Sequence, residues 1–538
     1  MKIPSNPVDR QEFYNDLVEK CLVSREERRA DYTSLRSWYL FGNGPDDSPA
    51  HYNKIYPHID QLTAFLFSAD TTRFTINLGA SVHESEHTKV PSLTQLINDK
   101  WMDSNGDHVF AMGLTWALAY NSTFIKLVIR NGQIHPYMVD PSSMGVLRED
   151  TPYSDRQEAL VQVYYITKGD LARRLYGHPN RAAIMKRVSE SQHQVSTVPE
   201  GLDRIVMSQT DPTIYGNVNL DLYGYNRMKA RVAEDTIEMR ELYVWNDDIN
   251  DYQVVTIAEP DVVIYDRPGE QLFIKGELPF VQITPNPQYD YYWGQSEVQK
   301  LIYLQQMRNR RMSEILDLLS KQVNPPTALM GFTGILDEKN FALNRAGGLL
   351  ANDMAQGKVE RLAPEIPNDL FREIDAIDAM FSEASGISSV MSGRGETGVR
   401  SQGHASQLAR LGSSRAKKRA LIIEDALGRI ATLYLKVLQQ YDPTVLRDTH
   451  GMKFIPEQFT KDFTVKVDAH SNSPIFMEDM RSLAFNLFKA QAIDKESLLD
   501  LLDPPMKQLL KDKLKKAEKS EGAGPQQKGG SPPLKQVK

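Results

Sequence analysis

Cysteine is almost missing: Cys21 is the only one in 538 residues. A lone thiol rules out an intramolecular disulfide and a thiolate metal cluster within one subunit, and a reducing compartment is the expectation. Long apolar runs are missing too. No segment approaches the roughly 18 uninterrupted apolar residues of a membrane-spanning helix. Met1 to Asn6 lacks the apolar core of a secretory signal, so no membrane insertion is expected. The phosphate-binding signature GxxxxGK followed by Ser or Thr does not occur, and hydrolysis of ATP on such a loop has no support. Repeats at solenoid periods are absent as well.

What is present is the composition of a soluble globular protein, 41% hydrophobic and 25% charged, with length for two to four structural units. The net charge of -7 is unevenly spread: the stretch from Lys507 onward carries +6, which leaves -13 for everything before it. An acidic body argues against gripping DNA along a broad surface, because Lys and Arg supply most nonspecific affinity for phosphate.

Helical patterning covers residues 8 to 41, 55 to 67 and about 92 to 120, the last interrupted near Asn105-Gly106. Strands are expected at Phe74 to Ile76 and at Phe124 to Ile129, the latter turning through Asn131-Gly132 into Ile134 to Val139. Val161 to Ile166, Glu241 to Trp245, Gln253 to Ile257, Val262 to Tyr265 and Leu272 to Ile274 add further strands. Lys168 to Tyr176 and much of the region after Arg181 read as helical, so the unit is α+β.

The order of parts from Pro279 to Ser401 is the most distinctive feature. A strand runs through Phe280 to Ile283, Trp293-Gly294 turns the chain, and Ser296 is placed to cap a helix that Pro325-Pro326 ends. A glycine-dotted segment follows, with short apolar groups at Ala328 to Met330 and Gly348 to Leu350. A second helix starts at Asn368 and ends at Gly386. It carries Asp369, Glu373, Asp375, Asp378 and Glu383 around an apolar stripe, and with no convergent His or Lys they suit a charged lumenal or solvent face better than acid/base catalysis. Beyond it, Gly403 to Tyr441 reads as a helix of roughly 55 to 60 Å. Phe463 to Val467 returns as a strand, Pro474 to Ala517 is helical with breaks, and Glu521 to Lys538 is Gly/Pro/Gln/Lys-rich and expected to be disordered.

Three short motifs are weighed against blander readings. His83-Glu84-Ser85-Glu86-His87 satisfies HExxH and on a helix would offer zinc two imidazoles, yet its polar surroundings and Pro91 favour a solvated segment. Gly393, Gly395 and Gly398 fit GxGxxG, but they follow a helix instead of a strand, so a loop presenting Arg394 and Arg400 to a polyanion is the better reading. The run Arg410, Arg415, Lys417, Lys418, Arg419 is a solvated helix face or a contact with nucleic acid or another subunit.

Together these residues resemble the portal proteins of tailed bacteriophages, the head-to-tail connectors. The resemblance rests on Pro279-Phe280, Tyr292-Trp293-Gly294-Gln295-Ser296 leading into Val298 to Leu301 and Leu304-Gln305, Pro325-Pro326, Gly386-Ile387, and Ser401 to Ala405 opening the long helix. Asn131-Gly132 to Asp140-Pro141 resembles the family's wing hairpin. It implies a wing (1–294), stem helices (295–322 and 368–386) and a clip (323–367). It further implies a channel loop (387–402), a long wing helix with its returning strand (403–473), a helical crown (474–520) and a tail (521–538). It also implies a ring of usually twelve copies around viral double-stranded DNA, with large terminase, head-tail adaptor or tail proteins, scaffold and major capsid protein as partners. No cofactor, metal or catalytic residue is implied, and the site is the capsid vertex, after assembly in the host cytoplasm. The alternatives are a zinc-dependent hydrolase using His83 and His87, or another structural capsid or scaffold component.

Overall fold

The computed structural model describes residues 1–44, 52–67, 72–78, 90–130, 133–154, 157–192, 236–323, 327–330, 358–361, 367, 369–385, 414–441, 463–467, 483–502 and 513–514. Helices α1 (Pro7–Leu22), α2 (Arg25–Phe41) and α3 (Ile55–Leu66) precede β1 (Phe74–Leu78), α4 (Val90–Asp103) and α5 (Gly106–Ala119). The hairpin β2 (Thr123–Arg130) and β3 (Gln133–Val139) leads to β4 (Met144–Val146), β5 (Ala159–Thr167), α6 (Lys168–Arg174) and α7 (Arg181–Gln192). Then come β6 (Thr236–Asn246), β7 (Asp251–Ala258), β8 (Val262–Pro268), the single turn α8 (Gly269–Leu272) and β9 (Phe280–Ile283). The remainder is α9 (Glu297–Val323), β10 (Thr327–Met330), β11 (Lys358–Arg361), α10 (Asp369–Ser385), α11 (Ser414–Tyr441), β12 (Phe463–Val467) and α12 (Lys495–Leu502).

Among the described residues every strand pairing is antiparallel. Strands β4 to β8 form a five-stranded meander, β3-β2-β9 a three-stranded sheet, and β1-β12 and β10-β11 two short pairs. The two larger sheets are joined by alternation, since successive side chains on a strand leave opposite faces. On one face of the meander Leu242, Val244 and Val255 meet Tyr14, Leu17 and Cys21 of α1. On the other, Tyr243, Tyr252 and Val254 meet Phe124 and Phe280 of the three-stranded sheet. That sheet's opposite face, Ile125, Val281 and Ile283, joins the largest core, to which α2 to α5, α11 and the beginning of α9 contribute. The α+β expectation is met.

Two local expectations are corrected. Residues 8 to 41 are two helices, broken at Val23-Ser24. Leu272 to Ile274 is no strand: the Asp251 carboxylate accepts from the N–H groups of Glu270 (2.8 Å) and Gly276 (2.7 Å), which curls this segment into the turn of α8.

Candidate functional site

The Trp-Gly-Gln-Ser sequence ahead of α9 is a built anchor. Trp293 is fully buried, donates from Nε1 to Glu149 at 2.7 Å and carries the Arg28 guanidinium 3.7 Å over its ring. Gly294 takes φ +74°, and a Cβ there would meet Thr284 at 2.4 Å and the Asn286 carbonyl oxygen at 2.8 Å, so only glycine fits. Ser296 caps the helix as expected, accepting from the Gln299 N–H at 3.3 Å while donating to the Ala119 carbonyl at 2.6 Å.

The next residue, Glu297, has a side chain 1% exposed. Arg419 of α11 donates from Nη2 to both its oxygens (3.1 and 3.0 Å), Lys300 pairs with it at 3.1 Å, and Asn286 donates at 3.2 Å. Burial alone would push this carboxyl up, but Arg419 and Lys300 outweigh it and hold the group below the usual carboxylate range. Beside it, burial pushes the His58 imidazole down to about 4. The sequence left Arg419 within a basic run; here it is spent inside the fold, while Lys418 stays exposed.

About two and three turns beyond Glu297, α9 is locked to the segment before α3. Gln305 accepts from the Lys54 N–H (3.0 Å) and donates to the Tyr52 carbonyl (3.1 Å), and Asn309 donates to the Gly42 carbonyl (2.7 Å). Arg308 Nε donates to Asp378 of α10 at 3.0 Å, and Lys54 pairs with the second oxygen of Asp378 at 2.9 Å. Arg311 pairs with Glu373 at 2.9 Å. As the α9 number rises from 308 to 311 its α10 partner falls from 378 to 373, so the two helices run antiparallel.

The acidic residues of α10 therefore divide. Glu373 and Asp378 face α9 and are neutralised there. Asp369, Asp375 and Glu383 are exposed, Asp369 beside Arg372 of its own helix at 3.6 Å. The loop candidates Gly393, Arg394, Gly395, Gly398 and Arg400 lie outside the described residues, as do His83 and His87. Among the described residues no group of three His, Cys, Asp or Glu side chains converges as a metal site would require. The arrangement is mechanical: two antiparallel helices, charge-locked at one end to the body, continuing at the other into the β10-β11 pair.

The family model described as Phage SU10 portal protein matches residues 92–515. No curated protein sequence matches. Among solved structures, the fold is similar to a chain in the virion of a native gene transfer agent particle, with 11% identity and a TM-score of 0.43, covering 88% of this chain and 94% of that one. A chain in the neck of the empty gene transfer agent particle computed with C6 symmetry gives 10% identity, a TM-score of 0.44, and coverage of 88% and 94%. The neck of the native particle computed with C12 symmetry gives 11%, 0.43, and coverage of 88% and 93%.

Proposed function

The chain belongs to the Phage SU10 portal protein family, a structural and not an enzymatic one, and on that premise we propose that its copies, usually twelve, close into a ring at one capsid vertex around a channel for viral double-stranded DNA. The DNA enters through this channel during packaging, with large terminase docked, and leaves through it once head-tail adaptor or tail proteins have replaced the motor. Scaffold and major capsid protein meet the ring during assembly in the host cytoplasm. In this reading residues 1–294 are the wing, 295–322 and 368–386 the stem, and 323–367 the clip. Residues 387–402 are the channel loop, 403–473 the long wing helix with its returning strand, 474–520 the crown and 521–538 the tail.

The observation that carries the reading is the path out along α9, into β10, back through β11 and down α10, with both helices rooted in the body by buried charge. Of the α10 carboxylates, Asp369, Asp375 and Glu383 are exposed in one subunit, and facing DNA they would weaken phosphate adhesion. Arg394, between Gly393 and Gly395, and Arg400, two residues after Gly398, would supply brief contacts without a fixed register.

Negative-stain microscopy of the purified protein tests the ring. Open-centred rings are expected; monomers or filaments would overturn it. Replacing Arg394 and Arg400 together by alanine should alter packaging or DNA retention with ring assembly intact.

A further inference from the structure

The turn that follows the β2-β3 hairpin is gripped by one face of α2. Pro141–Ser143 form a single 3-10 turn, opened by the Asp140 carboxylate, which accepts from the Ser142 N–H at 2.7 Å. Arginines of α2 take the carbonyls around it. Arg25 Nε donates to that of Ser142 at 3.0 Å, and Arg28 donates to those of Pro141 (3.3 Å) and Met144 (3.0 Å).

One polar group of the turn stands outside this scheme. Ser142 is 3% exposed, and its hydroxyl oxygen is sealed from bulk water with no hydrogen-bond partner among the described residues. A second group is short of donors. Burial pushes the Asp140 carboxyl above its ordinary value, against the opposing pull of the nearby Ser142 hydroxyl and N–H and of Arg36 and Arg29. The hydroxyl is near that carboxylate without making a hydrogen bond to it.

Both groups line one cavity of about 10 Å³, whose other walls include Arg29, Tyr32 and Arg36 of α2 and Tyr120 at the end of α5. Size decides the ligand first, because about 10 to 15 Å³ is the room that one water molecule needs. Charge decides it next. Two guanidinium groups disfavour a bare cation and the carboxylate disfavours an anion, which leaves a small neutral molecule that both donates and accepts. Apolar cavities stay dry, whereas every residue lining this one is polar.

We propose that the cavity is a binding site for one resident water molecule, held by the Ser142 hydroxyl, the Asp140 carboxylate and a guanidinium N–H of α2. The water donates to Asp140, accepts from the arginine and completes its set with Ser142 Oγ. Three partners lie within the usual two to four of a buried water. It thereby extends the seam between α2 and the turn, which reaches the stem anchor because Arg28 also lies over the Trp293 ring. The inference uses contacts within one chain and does not depend on ring or channel.

Crystals of the full chain, at a resolution that shows ordered waters, test the site directly. One density peak within hydrogen-bond distance of Ser142 Oγ and the Asp140 carboxylate is expected, and a cavity without density overturns the proposal. Crystals grown in bromide separate water from an anion: an anomalous peak at the site overturns it as well. Stability in urea supplies an independent sign. Ser142→Ala keeps the N–H used by Asp140 and the carbonyl used by Arg25 and deletes the hydroxyl alone. If that hydroxyl binds water, the unfolding constant should rise about fivefold, as for one ordinary hydrogen bond. Unchanged or higher stability would mean that the hydroxyl holds nothing, and overturns the proposal.

Discussion

The two ends of the α9-α10 pair are built on opposite principles. At the end joined to the body charges lie inside and each is answered: Glu297 by Arg419 and Lys300, Arg308 by Asp378, with Val298, Leu301, Ile377 and Phe381 packed around them. At the far end, beyond the buried Ile315, several apolar residues lie outside. Leu316 is 42% exposed, Val323 77% and Phe371 47%. Buried ion pairs add little net stability but make separation of the partners costly, so the joined end is rigid within one chain. Exposed Leu, Val and Phe side chains on neighbouring helices mark a surface that another molecule covers, which in the proposed ring is the adjacent subunit.

The sharpest way to break this contrast is to remove the Glu297 charge. Glu297→Gln leaves Arg419 and Lys300 without their carboxylate, and about 3 to 5 kcal/mol of stability should be lost, read as a lowered urea midpoint. The pH dependence has a definite sign. Because the folded carboxyl sits below its ordinary value of 4.5, its contribution is complete above pH 4.5 and disappears as pH falls through the lower folded value. The variant should therefore show a flatter acid limb of the stability curve. An unchanged limb would mean that Glu297 is not the group being titrated.

Much of this architecture was legible beforehand because it is local. Gly294, Ser296 and Pro325-Pro326 write the start and stop of α9 within a few residues of where they act, and Asn131-Gly132 between two apolar runs announces the hairpin of β2 and β3. The partner of Glu297 was not legible. Arg419 lies 122 residues away, beside basic neighbours, and nothing in the run distinguishes the one that turns inward. The same holds on α10, where Asp375 and Asp378 look alike in sequence and only packing against α9 separates an exposed carboxylate from a paired one. Edge or centre is likewise a tertiary property, so β9 read as a strand without revealing that it ends the three-stranded sheet among the described residues.

A smaller loss is expected at the next contact along the joined end. Asp378 is about a quarter exposed, so water partly replaces it, and Asp378→Asn should cost about 1 to 3 kcal/mol through the buried Arg308 it leaves behind. A double-mutant cycle with Arg308→Met isolates the pair. A coupling of about 1 kcal/mol or more sharpens the contrast, whereas additive losses would mean that the geometry between α9 and α10 carries no shared energy.

The smallest effect on the single chain belongs to the far end. Replacing Leu316, Leu319 and Val323 by serine removes apolar side chains that are already substantially exposed, so the urea midpoint at concentrations low enough to keep the chain monomeric should move by no more than about 0.5 kcal/mol per site. Sedimentation velocity of the same variant at high concentration should show assembly reduced, because the apolar surface that a neighbour would cover is gone. The two readings must separate for the contrast to stand. If the triple variant unfolds as a monomer, the far end is core in its own right and the opposition between the two ends fails. If it is stable and assembles as wild type does, the exposed stripe is covered by something other than an adjacent copy.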